Sequence, residues 1–267
     1  MDQLIHRLTD EVKQKLLKQG MKLSESPKVQ SMKMTIINHM KAKDITPNTL
    51  APYIDHTLLK PDASLQELEK ICKEALQHGF AAVCVNSSNI SFAAKMLNGS
   101  QVLPIAVVGF PLGAATTSAK AFEAKEAILA GAKEIDMVIN IGALKDAQYI
   151  LVLEDMKKVV ENASPYPVKV ILETSLLTQE QKIIACALAK IAGAKFVKTS
   201  TGFSTGGATV EDVKLMRSIV GKDMGVKASG GIRTFKEAAA MIEAGADRIG
   251  TSHSVALVTG KTGRYGY

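Results

Sequence analysis

The 267-residue sequence predicts an α/β protein, a (β/α)8 TIM barrel with an N-terminal helical extension, and three observations predict it. From Pro52 onward, short runs rich in Val, Ile and Ala alternate with amphipathic stretches of helical period, and eight such units can be counted. Successive units are joined by a recurring junction: Ala130-Gly131-Ala132, Ala192-Gly193-Ala194 and Ala244-Gly245-Ala246 each close a helix shortly before a new apolar run. Glycine suits the left-handed position that ends a helix, and alanine lets the helix end approach a sheet. Lastly, charged and amide residues within the apolar runs crowd toward their carboxyl ends, which is where a barrel carries its site. An open doubly wound sheet is the alternative arrangement of the same units.

Taken in order, residues 1–47 read as the helical extension and residues 48–267 as the barrel domain. Leu4, Leu8, Val12 and Leu16 recur every four residues, and Val29, Met32, Ile36 and Met40 follow a mixed spacing of three and four, marking two amphipathic helices separated by Ser24, Ser26 and Pro27. Acidic residues Asp2, Asp10 and Glu11 argue against a transit peptide. The arm is expected to pack on the barrel or on a partner subunit and to carry no chemistry.

Of the formal charge of +7, nine basic against five acidic residues within 1–45 account for +4, leaving +3 on the rest. A nearly neutral body without tryptophan or a basic stripe argues against a nucleic-acid partner. No apolar run of membrane-spanning length occurs, so no membrane partner is expected. Cys72, Cys84 and Cys186 are widely spaced and lack a CxxC motif, which suits reduced, buried thiols in a cytoplasmic protein, with Cys84 in core packing.

Strands are expected at about 53–56, 80–85, 103–109, 134–139, 168–173, 196–199, 226–229 and 248–251, and helices at about 65–77, 119–130, 147–161, 179–191, 210–220 and 235–244. Strand–helix alternation demands parallel pairing with right-handed crossovers. Asp55, Asn86, Asp136, Asn140, Glu173, Lys198 and Lys227 fall in or just after these strands. Such residues inside a barrel are paired or functional.

Lys198 and Lys227 end consecutive apolar runs at the same depth, so parallel neighbouring strands would bring their ammonium groups together. A second positive charge about 4 Å away, at an effective dielectric of about 20, disfavours protonation by roughly 4 kcal/mol, or about three pKa units. On the order of a quarter of Lys198 would then be free amine at neutral pH, able to attack a carbonyl. The alternative is a pair of lysines whose heads extend from the barrel mouth. In the run 134–140, alternation places Glu134, Asp136 and Val138 on one face, and with the aliphatic face toward the helices Asp136 points at the lysines, as a proton carrier or a salt-bridge partner.

Two glycine-rich loops follow the last strands. Gly230, Gly231 and Arg233 lie in one, Gly250 and Ser252 in the other, and small residues there let backbone N–H groups approach a phosphate; tight turns alone would also use them. Gly202, in the loop after Lys198, could add a donor. The five histidines form no HxH or HxxxH pair, so neither a metal nor another cofactor is expected, and His56 reads as a hydrogen-bonded structural residue.

The stretches IDHTLLKP (54–61), VVGFPLG (107–113), EIDMVIN (134–140), VKTSTGF (197–203) and VKASGGIRT (226–234) together resemble the deoxyribose-phosphate aldolase family, over roughly four-fifths of the chain. The resemblance implies that Lys198 is the Schiff-base lysine and that Lys227 and Asp136 form the proton-transfer pair. It also implies that Gly202, Gly230, Gly231, Gly250 and Ser252 lie near the phosphate of a phosphosugar substrate, and His253 departs from the small residue of many relatives. The implied reaction is cleavage of 2-deoxy-D-ribose 5-phosphate to D-glyceraldehyde 3-phosphate and acetaldehyde, within deoxyribonucleotide catabolism. A homo-oligomer, dimer or tetramer, is expected. A Schiff-base aldolase for another phosphosugar and a non-catalytic phosphosugar-binding barrel are the competing readings.

Overall fold

The computed structural model describes residues 2–18, 20–21 and 45–260. Among them, eight parallel strands close a barrel in sequence order: β1 (Ile54–Leu58), β2 (Ala82–Asn86), β3 (Leu103–Val108), β4 (Glu134–Val138), β5 (Val168–Ile171), β6 (Phe196–Lys198), β7 (Gly225–Ser229) and β8 (Arg248–Thr251). Pairing of β8 with β1, Asp55 opposite Gly250, completes the ring and excludes the open sheet.

Helix α1 (Asp2–Lys18) precedes the barrel, and α2 (Pro47–Leu50) leads into β1. The crossovers carry α3 (Leu65–His78), α4 (Ile90–Met96), α5 (Thr117–Leu129), α6 (Ile141–Lys145), α7 (Tyr149–Ala163), α8 (Gln179–Ile191), α9 (Val210–Val220) and α10 (Phe235–Glu243), and α11 (Ser254–Thr259) follows β8. Helix starts are encoded locally: Ser64 with Glu67, Thr178 with Gln181 and Thr234 with Glu237 form reciprocal capping boxes that satisfy otherwise orphaned N–H groups.

Two strand faces serve two cores. Val83, Val85, Ala106, Val108, Ile135, Met137, Val170, Val197 and Val226 belong to the large core shared with the helices. The opposite faces of β2 and β3 contribute Ala82, Cys84, Ile105 and Val107, which with Leu59 make a separate small apolar cluster. Around the rest of that inner face, the strands carry charged residues instead.

Several expected boundaries move by one or two residues, as at β1 and β2, and two of the moved ends lie at non-glycine residues in left-handed backbone. Glu173 (φ 56°) turns the chain just beyond β5, so the strand ends at Ile171, and Ala147 (φ 55°) lies outside α7, which begins at Tyr149. Helix α1 lays its predicted stripe on the barrel exterior: Leu8 and the partly buried Leu4, with Ile5 beside them, pack with Ile183 of α8, while Val12 and Leu16 join the main core. The second expected helix of the arm, around Val29 to Met40, lies outside the described residues.

Candidate active site

The register of β6 against β7 sets Lys198 directly opposite Lys227, as expected from their common depth. The structure places a carboxylate between them. Oδ2 of Asp136 accepts from Nζ of Lys198 at 2.9 Å and from Nζ of Lys227 at 2.8 Å. Its other oxygen, Oδ1, accepts from Lys169 at 2.9 Å, and Lys169 also donates to Glu134. Lys227 further approaches Oδ2 of Asp55 at 2.6 Å without hydrogen-bond alignment, while Arg248 bridges Asp55 and Glu134.

The seven residues thus form one network inside the barrel, every member buried. Three are carboxylates, Asp55, Glu134 and Asp136, and four are bases, Lys169, Lys198, Lys227 and Arg248. With all seven ionised, the network would hold one uncompensated positive charge, and an unpaired buried charge is costly. Arg248, Lys169 and Lys227 each meet two carboxylates. Lys198 meets one, through an oxygen it shares with Lys227. The count balances when Lys198 is the neutral member.

The proton affinities follow the same division. Burial first, and then the charge of Lys227, pull the pKa of Lys198 below the ordinary lysine value against the attraction of Asp136. Burial also opposes the charge on Lys227, but Asp136 and Asp55 overcome it and hold that pKa above the lysine range. For Asp136, burial is outweighed by Lys169, Lys198 and Lys227, which keep the carboxyl well below its usual range. The neighbouring charge expected from sequence therefore acts in the right direction but is not the main cause: loss of water ranks above Lys227 in depressing Lys198, and the carboxylates discriminate between the lysines.

Lys198 also lines a cavity at the carboxyl ends of the strands, and so do Gly202, Gly230, Gly231, Arg233, Gly250 and Ser252. Asp136 and Lys227 are not in its wall. They sit behind Lys198, at hydrogen-bond distance from it or from its partner. Gly250 is required there for room, since a Cβ would lie 2.9 Å from Cε of Lys227. His253 lines the same cavity, with Nδ1 3.3 Å from the Ser252 hydroxyl oxygen.

The remaining polar strand-end residues take other places. Asn140 caps α6 by accepting from the N–H of Ala143, and Asn86 donates to the Leu59 carbonyl. His56 pairs with Glu74 at 2.8 Å, as a structural histidine should. Cys84 is fully buried in the small apolar cluster, and burial pushes its thiol up to about 11. Glu173 accepts from the N–H of Thr201 at 3.2 Å and from the Thr201 hydroxyl. Lys169 and Arg248 had no role from sequence alone. The available signal was a charge inside an apolar run, for Lys169 on the same strand face as Glu173.

Comparison with known proteins gives a consistent set of relatives. Residues 49–261 match the model of the DeoC/LacD family aldolases. A deoxyribose-phosphate aldolase of Clostridium perfringens is 61% identical over 213 residues, 79% of this chain and 95% of that protein. One from Streptococcus sanguinis is 61% identical over 212 residues, covering 79% and 96% of the two chains. Among solved structures, a tetrameric deoxyribose phosphate aldolase from Aeropyrum pernix superposes with a TM-score of 0.75 at 34% identity, covering 80% of this chain and 91% of that one.

Proposed function

The chain belongs to the DeoC/LacD family of aldolases, and on that premise we propose that it is a class I aldolase acting on 2-deoxy-D-ribose 5-phosphate through a Schiff base on Lys198. The observation that carries this reading is the position of Lys198: it is the least compensated base of a network with one cation too many, and it alone among the network's lysines lines the cavity. A depressed proton affinity gives the free amine that carbonyl attack needs.

In this reading, the lone pair of Nζ attacks C1 of the open-chain sugar, and loss of water from the carbinolamine gives an iminium. A base removes the C3 hydroxyl proton, and the electrons of the C2–C3 bond move to the iminium nitrogen as the bond breaks. D-glyceraldehyde 3-phosphate departs, leaving an enamine. Protonation at C2 and hydrolysis then release acetaldehyde and restore the amine. Asp136 Oδ2 stands 2.9 Å from Lys198 and 2.8 Å from Lys227, so a proton released at Lys198 has an acceptor and a second carrier within reach. Lys227 and Asp136 would serve the C3 hydroxyl and the enamine through a water. The iminium supplies the electron sink, so the steps call for no metal or other cofactor.

Arg233, Ser252 and the N–H groups around Gly202, Gly230, Gly231 and Gly250 would hold the phosphate, fixing which carbon reaches Lys198. The reading extends to deoxyribonucleotide catabolism, a cytoplasmic setting and a homo-oligomer, supported for the last by the tetrameric relative from Aeropyrum pernix. No helix among the described residues is long and apolar enough to cross a membrane. Product analysis tests the reaction: incubation with 2-deoxy-D-ribose 5-phosphate should yield acetaldehyde and glyceraldehyde 3-phosphate in equal amounts. Turnover of a different phosphosugar in its place would redirect the substrate assignment, and binding without turnover would overturn the enzyme reading.

A further inference from the structure

We infer that Glu173 is a positioning residue that shapes the anion end of the cavity by clamping the loop after Lys198. The inference rests on the proposed phosphate pocket and adds to it a residue that does not line the cavity.

Three observations combine. Glu173 is buried yet holds a left-handed backbone (φ 56°, ψ 62°), a conformation that strains a side chain with a Cβ and persists only where its surroundings enforce it. The kink is pinned on both sides by β6 and the loop after it: the N–H of Leu172 donates to the Lys198 carbonyl at 2.9 Å, and that of Thr174 donates to the Thr199 carbonyl at 3.0 Å. The displaced side chain then reaches Thr201, where one oxygen, Oε2, accepts from both the N–H and the hydroxyl. The Thr201 hydroxyl oxygen in turn accepts from the N–H of Phe203 at 3.1 Å.

The clamp therefore commits the backbone donors on either side of Gly202. Among the described residues, the N–H of Gly202 itself makes no hydrogen bond. Gly202 is a cavity residue with φ of +86°, so the loop keeps this one donor available at the wall where an anion would sit. A carboxylate that tied up Gly202 directly would close the site; this one fixes its neighbours. Oε1 of Glu173 is left without a hydrogen-bond partner, so a single oxygen carries the whole clamp.

The test is titration with inorganic phosphate, read by calorimetry on the full chain. Glu173→Ala and Thr201→Val should each weaken phosphate binding by about tenfold or more, a loss on the scale of one charge-assisted hydrogen bond. Thr201→Ser, which keeps the hydroxyl, should stay within about twofold of the starting protein, and the double variant Glu173→Ala/Thr201→Val should lose little beyond either single one, because both break the same link. Near-identical phosphate affinity in a folded Glu173→Ala protein would overturn the inference, as would additive losses or a starting protein that binds no phosphate. Thr201 itself lines the cavity, so should Glu173→Ala fail to fold, Glu173→Gln decides: a weaker, uncharged acceptor at the same place should lower phosphate affinity, and an unchanged affinity would overturn the inference. A protein that binds phosphate, loses it in these variants and cleaves no sugar would sink the aldolase reading while leaving the clamp in place.

Discussion

Lys198 and Lys227 face each other across β6 and β7 and donate to the same oxygen of Asp136, yet Lys227 alone also reaches Asp55. That second carboxylate separates two otherwise equivalent side chains. It holds Lys227 protonated and leaves Lys198 as the base that yields its proton.

The first prediction removes the asymmetry. In Lys227→Met the network keeps three carboxylates and three bases, so it balances with Lys198 charged. Loss of the cationic neighbour and exclusive access to Asp136 both raise the proton affinity of Lys198. The rising limb of kcat/KM against pH should move toward higher pH, and turnover at neutral pH should fall by about a hundredfold or more, the scale of a lost general acid–base partner. Profiles of the two proteins from neutral to alkaline pH give the comparison, and coincident limbs would contradict it.

A second prediction concerns stability against pH. Between the depressed folded pKa of Lys198 and the ordinary lysine value near 10.5, the unfolded chain binds the extra proton. Stability should therefore rise with pH across that window, and Lys198→Met should remove this part of the slope. Asp55 acts at the acid end. Burial would push its carboxyl up, but Arg248, Lys227 and Lys169 hold it down at about 2, against 3.8 ordinarily. Its contribution is complete above the ordinary value and is lost as pH falls toward the folded one, so Asp55→Asn should flatten acid denaturation followed by urea titration at a series of pH values.

A third prediction tests a second buried pair outside the network. Lys120 of α5 donates to Asp155 of α7 at 2.6 Å and to the carbonyl of Val138, the last residue of the strand that carries Asp136, at 3.0 Å. Lys120→Met strands a buried carboxylate and should cost about 3–5 kcal/mol in chemical denaturation. Lys120→Met/Asp155→Leu removes both charges and should recover most of that loss; a double variant no more stable than the single one would contradict the pairing account.

The fourth concerns α1. Leu16 is fully buried in the main core, and Leu16→Ala should destabilise the protein by about 2–5 kcal/mol, measured by urea unfolding. A change within error would show that the helix detaches without consequence for the barrel.

The fold was legible where one physical signal dominates. Helices α8 and α9 follow the expected bounds, because Thr178 and Thr209 cap their starts and apolar faces fix their period. Strand β8, too, runs as expected over Arg248–Thr251. Two of the misplaced ends, the close of β5 and the start of α7, lie at left-handed residues: Glu173 is held by the loop after β6, whereas Ala147 closes α6 locally, its N–H donating to the Leu144 carbonyl and that of Gln148 to the Ala143 carbonyl. In the site, the pairing of Lys198 with Lys227 was readable from equal depth on consecutive strands. The role of Lys169 was not, because it depends on register: the pairing of β4 with β5 sets Lys169 opposite Asp136 and within reach of Glu134. Likewise, Arg248 and Asp55 are far apart in sequence and meet only because β8 pairs with β1.

The most direct measurement of the central claim is borohydride reduction in the presence of 2-deoxy-D-ribose 5-phosphate, followed by peptide mapping. An amine held neutral at the cavity wall should be trapped as a covalent adduct on Lys198, and Lys198→Ala should give neither adduct nor turnover. An adduct on Lys227 or Lys169 in place of Lys198, or turnover that survives Lys198→Ala, would contradict the account.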